Sequence, residues 1–240
     1  MDKQIFVRRW ITAGLLGLPL SGALTMWSSF EGQPDPAQHY AEWARFVSTD
    51  GYAVGHLLGS GGGLIAAIFG STALGVALAR TRASGMALSG MAVAVLGAAL
   101  FLLPMGVSTF VAPLEGAAFL QSGVWPPDEP EILAGQLMRL TVLAVVVLSL
   151  TGHILLGVAT YRSRALPRWT GVLWATAPVL MYPLGIVYAA ATGVASTPPT
   201  VPVGAMAMAL AGAGMVWSYG RGGAAEPSAA VLSGSARGAT

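Results

Sequence analysis

Six long apolar stretches, separated by short polar connectors, organise the chain. They predict spans at about 10–27, 52–79, 86–107, 137–160, 169–191 and 201–217. Each is near or above the length needed to cross a hydrocarbon core of roughly 30 Å at about 1.5 Å per helical residue. Backbone polar groups in lipid must be satisfied within one segment, so the spans are expected to be helices. The expected fold is an all-α, polytopic integral membrane protein: one six-helix domain over 1–219 and a disordered tail over 220–240, rich in Gly, Ala and Ser.

The first stretch follows Lys3, Arg8 and Arg9, so a cleaved signal peptide ending near Ser21-Gly22-Ala23 is its rival reading. Between the first two spans, Ala37–Val47 predicts a short helix. Tyr40, Trp43 and Phe46, three residues apart, form an aromatic face suited to a membrane interface. The connector Ser108–Glu131 carries four prolines around an apolar middle, Leu114–Leu120, which predicts a re-entrant or surface-lying segment. Pro104 is expected to kink the third span, and Pro178 and Pro183 to interrupt the fifth.

Charge sharpens this picture. Charged residues make up only 9% of the chain, too few to cover a soluble protein of this size, where about 25% is usual. Ten of the twelve basic residues (Lys3, Arg8, Arg9, Arg80, Arg82, Arg162, Arg164, Arg168, Arg221 and Arg237) fall on one side if all six spans cross. The other side takes eight carboxylates, with Arg45 and Arg139. The basic side is expected to be cytoplasmic, and it holds both termini. The net charge of +2 gives no reason to expect nucleic acid as a partner. With no cysteine there are no disulfides or thiolate metal sites.

Candidate chemistry is sparse. Gly51, Gly55, Gly59 and Gly63 stand four apart and make a smooth helix face, which suits close packing against another span, a partner or a second copy. Gly-Ser-Gly-Gly-Gly over 59–63 lacks the lysine of a phosphate loop and lies inside an apolar span. His56 and His153 lie within spans, where polar side chains are costly and mark candidate ligand or proton-relay positions. Paired intramembrane histidines also suggest axial haem ligands, but counting residues from the span ends separates their depths by roughly 15 Å. Tyr182, in the proline-broken fifth span with Thr176 and Tyr188, is a further candidate, since broken helices line transporter sites. Arg139 is expected to snorkel toward Asp128, Glu129 and Glu131, or to line an outward polar site with Glu115 and Glu131. His39 lies near carboxylates, but its spacing matches no tight metal site. There is no nucleophile elbow, zinc-protease motif or catalytic carboxylate pair.

Gly55-His56-Leu57-Leu58 and Leu166-Pro167-Arg168-Trp169 resemble features of multi-span proteins from high-GC bacteria, which implies a bacterial plasma (inner) membrane and no particular activity. The residues thus favour a non-catalytic membrane subunit or scaffold that packs through its glycine face, in lipid and with a membrane-protein partner or as a homo-oligomer. The alternatives are a small-solute or proton-coupled transporter, and a haem- or pigment-binding redox protein.

Overall fold

The computed structural model describes residues 3–30, 32–124, 133–192 and 197–221, and every regular element among them is helical. In chain order these are α1 (Lys3–Leu15), α2 (Gly17–Ser28), α3 (Tyr40–Val47), α4 (Asp50–Val54), a π-helical segment Gly55–Gly61, α5 (Gly62–Leu78) and α6 (Ser84–Gly106). A second π segment, Val107–Val111, follows, then α7 (Ala112–Ser122), α8 (Leu133–Ser163), α9 (Arg168–Met181), α10 (Pro183–Thr192) and α11 (Thr200–Arg221). They assemble into six helices long and apolar enough to cross a membrane: Lys3–Ser28, Asp50–Leu78, Ser84–Ser122, Gly135–Ser163, Arg168–Thr192 and Thr200–Arg221. Their outward faces are apolar, with Leu16, Phe69, Leu96, Leu143, Ile186 and Leu210 all exposed.

The spans pack in a closed ring. Each contacts its neighbours in sequence, and the sixth returns to the first. Glycines set the register. A side chain at Gly17 would run into the Ala66 carbonyl, one at Gly152 into the Ala94 backbone, and one at Gly22 into Ala209. Gly157 and Gly171 face each other across α8 and α9, and Gly212 meets Leu18 and Pro19. In each pair of neighbours followed this way, residue numbers rise on one helix as they fall on the other, so those neighbours run antiparallel. Lipid supplies no hydrophobic drive for helices to associate, so such close backbone contacts carry the packing.

Connectors therefore alternate between two ends of the bundle, a basic end and an acidic end. At the basic end the Arg8 guanidinium donates to the Gly220 carbonyl (2.6 Å) and Arg82 Nε to the Arg162 carbonyl (2.6 Å). An apolar plug fills the basic half of the ring, drawing Leu15 and Leu18 together with Leu74, Leu78, Leu156, Trp174 and Met215.

Several expected boundaries move. The third helix does not end near Val107. It runs on through a π turn and α7 to Ser122, 39 residues in all, or nearly 60 Å at about 1.5 Å per residue. Leu114–Leu120 thus continues the third helix as part of α7. Pro113 falls at the junction of the π turn and α7, where the hydrogen-bond register already shifts, and Gly123 ends the helix in the left-handed region (φ 66°). The first span is interrupted at Leu16, because Pro19 lacks the N–H that would reach the Leu15 carbonyl. Gly220 and Arg221 belong to α11, and the rest of the expected tail lies outside the described residues.

The aromatic face of α3 also turns out differently. Tyr40 and Trp43 are buried against α7, with Tyr40 edge-on to Phe119 (4.8 Å between centroids) and Gly116 seated against Ala44 and Val47. The extension of the third helix gives those rings a protein surface to cover, so they do not lie on lipid. Burial, with the Glu115 carboxylate nearby, holds the Tyr40 hydroxyl above the usual phenol range. The neutral phenol favoured by the fold then contributes stability below about pH 10, and that contribution is lost as pH rises through the raised value. Tyr40→Phe is expected to blunt this alkaline loss, followed as absorbance and helicity through a base titration.

Candidate functional site

A cavity of about 330 Å³ opens inside the ring, and all six spans line it. The first contributes Ser21, Thr25, Ser28 and Ser29, and the second Gly55, His56, Ser60 and Gly63. The third brings Phe101 and Met105, the fourth Ser149 and His153, the fifth Pro178, Met181 and Tyr182, and the sixth Val201 and Met208. Leu64, Ala67 and Ala98 add apolar wall from the second and third spans, and Gln33, Phe46 and Thr197, in connectors at the acidic end, complete the described lining. The cavity therefore occupies the acidic half, and the apolar plug closes it toward the basic end.

Two departures from regular helix widen this half. The π segment falls on the glycine row of the second span, a distortion frequent at functional sites. In the fifth span the helix breaks at Tyr182, where Pro183 cannot donate to the Val179 carbonyl. Both distortions border the cavity.

His153 is the most constrained polar group in it. The side chain is 7% exposed, and its Nδ1 donates to the Ser149 carbonyl one turn earlier (2.7 Å). That bond fixes the proton of a neutral ring on Nδ1 and leaves Nε2 as an acceptor. Nε2 is buried with no partner among the described residues. Beside it, Trp174 is fully buried, its ring 5.5 Å from the imidazole, and its Nε1 is also unpartnered. Tyr182, at the break in the fifth helix, borders the same cavity as Ser149 and His153.

His56 repeats the motif nearer the acidic end. Its Nδ1 faces the Tyr52 carbonyl (3.1 Å), and its ring lies 4.0 Å from that of Tyr52. Close contacts fix the relative depth of the two histidines. Gly204 meets Ala177 and Met181, Gly22 meets Ala205 and Ala209, and Gly63 meets Ser21 and Thr25. Followed round the ring, these bring His153 level with Gly63 on the second span. His56 stands seven residues further out, about 10 Å at roughly 1.5 Å per residue. The offset is somewhat smaller than the sequence suggests, and the two histidines are successive stations along one cavity.

His56, His153 and Tyr182 thus converge. Of the glycine row, Gly51 points into open space and Gly55 borders the cavity. Gly59 and Gly63 are covered by the first span of the same chain: a side chain at Gly59 would stand 2.6 Å from Ser28 Cβ. Arg139 and Glu115 are both exposed and outside the cavity lining. The acidic run 128–131 expected to pair with Arg139 lies outside the described residues. His39 is exposed, and no group of three His, Cys, Asp or Glu side chains suited to a metal occurs among the described residues.

Sequence reasoning missed Ser149 and the hydroxyl row of the first span. A signal was present, since Ser21, Thr25, Ser28 and Ser29 recur at helical spacing within an apolar stretch. Ser28 and Ser29 both donate to the Thr25 carbonyl, and Ser60 reaches across to Ser28 (3.3 Å). Comparison of the chain with protein-family models, curated proteins and solved structures gives no match.

Proposed function

We propose that this protein takes a small solute into the central cavity from the acidic face of a membrane, acting as a carrier or solute-binding membrane protein. One observation carries this reading. All six spans converge on a cavity bordered by two intramembrane histidines, His56 and His153, and it lies on one side of an apolar plug. Its volume falls at the small end of the usual ligand-pocket range of roughly 300–1,000 Å³. A site in the acidic half, a plug in the basic half and a broken helix beside the site fit a carrier that opens to one face at a time. The clustering of arginines at the basic end supports a cytoplasmic orientation for that end and both termini. The scaffold reading draws little from the glycine row, because Gly59 and Gly63 are spent on the chain's own first span. The visible spectrum of purified protein separates solute binding from a haem- or pigment-based role.

Water access is the direct test. The chain has no cysteine, so a single introduced thiol has no background. A thiol reacts as its thiolate, which forms only where water reaches it. Ser149→Cys is expected to react with methyl methanethiosulfonate at least about tenfold faster than Leu143→Cys, which faces outward at the same helix. Equal, negligible labelling at both positions would remove the cavity as a solute site.

A further inference from the structure

The basic end of the bundle concentrates charge at one corner, away from the cavity. The connector between the fourth and fifth spans is short (164–167), and it brings Arg162, Arg164 and Arg168 together. Arg82, in the connector between the second and third spans, joins them by donating its Nε to the Arg162 carbonyl (2.6 Å). All four side chains are exposed. The Arg168 guanidinium lies over the Tyr161 ring, 5.4 Å from its centroid, which holds it in place.

The backbone marks the same corner. Arg164 has φ 58°, in the left-handed region that residues with a side chain rarely adopt, and it is the one non-glycine residue there among the described residues. Ser163 holds the turn: its hydroxyl donates to the Thr160 carbonyl (2.8 Å) and accepts from the Ala165 N–H (3.2 Å). Leu166, buried in the core, pins the connector from below. Such conformations persist where the surrounding structure imposes them, and they cluster at functional sites. Here the imposed turn keeps an exposed arginine among three others.

These charges lack a counter-charge nearby. The carboxylates among the described residues are Asp35, Glu42, Asp50 and Glu115, all at the acidic end. Asp2 and Glu226 are outside the described residues; by sequence they belong with the termini on the basic side, where the chain carries ten basic residues. Pairing both would still leave eight cations uncompensated. Next to the arginines the surface turns apolar, with Tyr161, Trp169 and Val172 exposed. Aromatic rings at a span end mark the edge of the hydrocarbon. A partner that meets both surfaces is anionic at its head and apolar along its length, which fits a phospholipid better than an acidic protein.

We infer that this corner binds the phosphodiester of an anionic phospholipid in the leaflet at the basic end, with Arg162, Arg164 and Arg168 on the phosphate oxygens and the acyl chains along Trp169 and Val172. Guanidinium groups suit the task, since their paired N–H donors match phosphate oxygens. The inference rests on the membrane reading of the six spans and is independent of the cavity.

Native mass spectrometry of the full chain tests it, in mild detergent holding equal amounts of phosphatidylglycerol and phosphatidylcholine with identical acyl chains. The wild type is expected to retain phosphatidylglycerol at least about tenfold over phosphatidylcholine. Arg164→Asn removes the charge and suits the left-handed backbone. It is expected to keep or raise the melting temperature while cutting the preference about fivefold, the worth of one cation at a lipid surface. Arg168→Gln is expected to cut the preference similarly. Arg9→Gln, on the first span across the ring, is expected to leave it unchanged. No preference in the wild type overturns the inference, and so does an equal loss in Arg9→Gln, which indicates a diffuse field in place of a site. A lower melting temperature of Arg164→Asn with lipid choice intact makes that arginine structural. Displacement of the lipid by inorganic phosphate, beyond that by chloride at equal ionic strength, overturns the lipid assignment in favour of a free anion. Binding of poly-glutamate that Arg164→Asn weakens, with no lipid preference, assigns the surface to an acidic protein instead.

Discussion

Gly152→Leu is expected to prevent the ring from closing. Gly152 lies where α8 crosses α6, and even a methyl group there would collide with the Ala94 backbone. No rotamer of a flexible neighbour relieves that contact, so the two helices must separate. Overpacking a core costs typically about 1–3 kcal/mol, and a collision with main chain belongs at the upper end or beyond. In a bilayer little compensates, since packing supplies most of what holds the helices together. The variant should lose its monodisperse peak in mild detergent or unfold many degrees below the wild type. Gly51→Leu, at a glycine with open space around it, should behave as the wild type does. If Gly152→Leu matched the wild type in both assays, the pairing of the third and fourth spans would be wrong.

Trp174→Ala is expected to be the most damaging truncation. Trp174 is the largest fully buried side chain, set in the plug directly beside His153. Removing a buried tryptophan costs about 3–5 kcal/mol in soluble proteins. Here the loss should lie near 3 kcal/mol, because lipid is as apolar as the core and only packing and the remaining void count. The void would adjoin the cavity floor, so Ser149→Cys in this background should label faster than in the wild type. Trp10→Ala, at an indole 65% exposed, serves as the control and should shift neither measurement. Unchanged thermal stability of Trp174→Ala would show that the plug does not hold the basic half together.

Residue by residue, the sequence was informative unevenly. Six apolar runs give six apolar helices because hydropathy is a local property, and in lipid each segment must satisfy its own backbone. The short helix α3 was legible from the spacing of Tyr40, Trp43 and Phe46, yet its partner was not. The surface those rings cover belongs to α7, some 70 residues later, and exists only because the third helix continues past Val107. The prolines of that connector read as breaks, but Pro113 falls where the π segment has already shifted the hydrogen-bond register, so it ended nothing. His56, His153 and Tyr182 stood out singly as polar groups in apolar spans. Ser149 did not stand out, because a lone serine in a membrane helix is unremarkable until the residue facing it is known.

The chain alone therefore determined that it has six apolar helices long enough to cross a membrane and that its arginines sort to one set of connectors. Only the tertiary structure decided that the second, fourth and fifth spans aim their polar residues into one space and that the glycine row is covered by the first span. Which way a helix faces, and at what height it meets its neighbour, depends on contacts such as Gly152 with Ala94 and Gly22 with Ala209. Those contacts join segments far apart in sequence, and no local pattern encodes them.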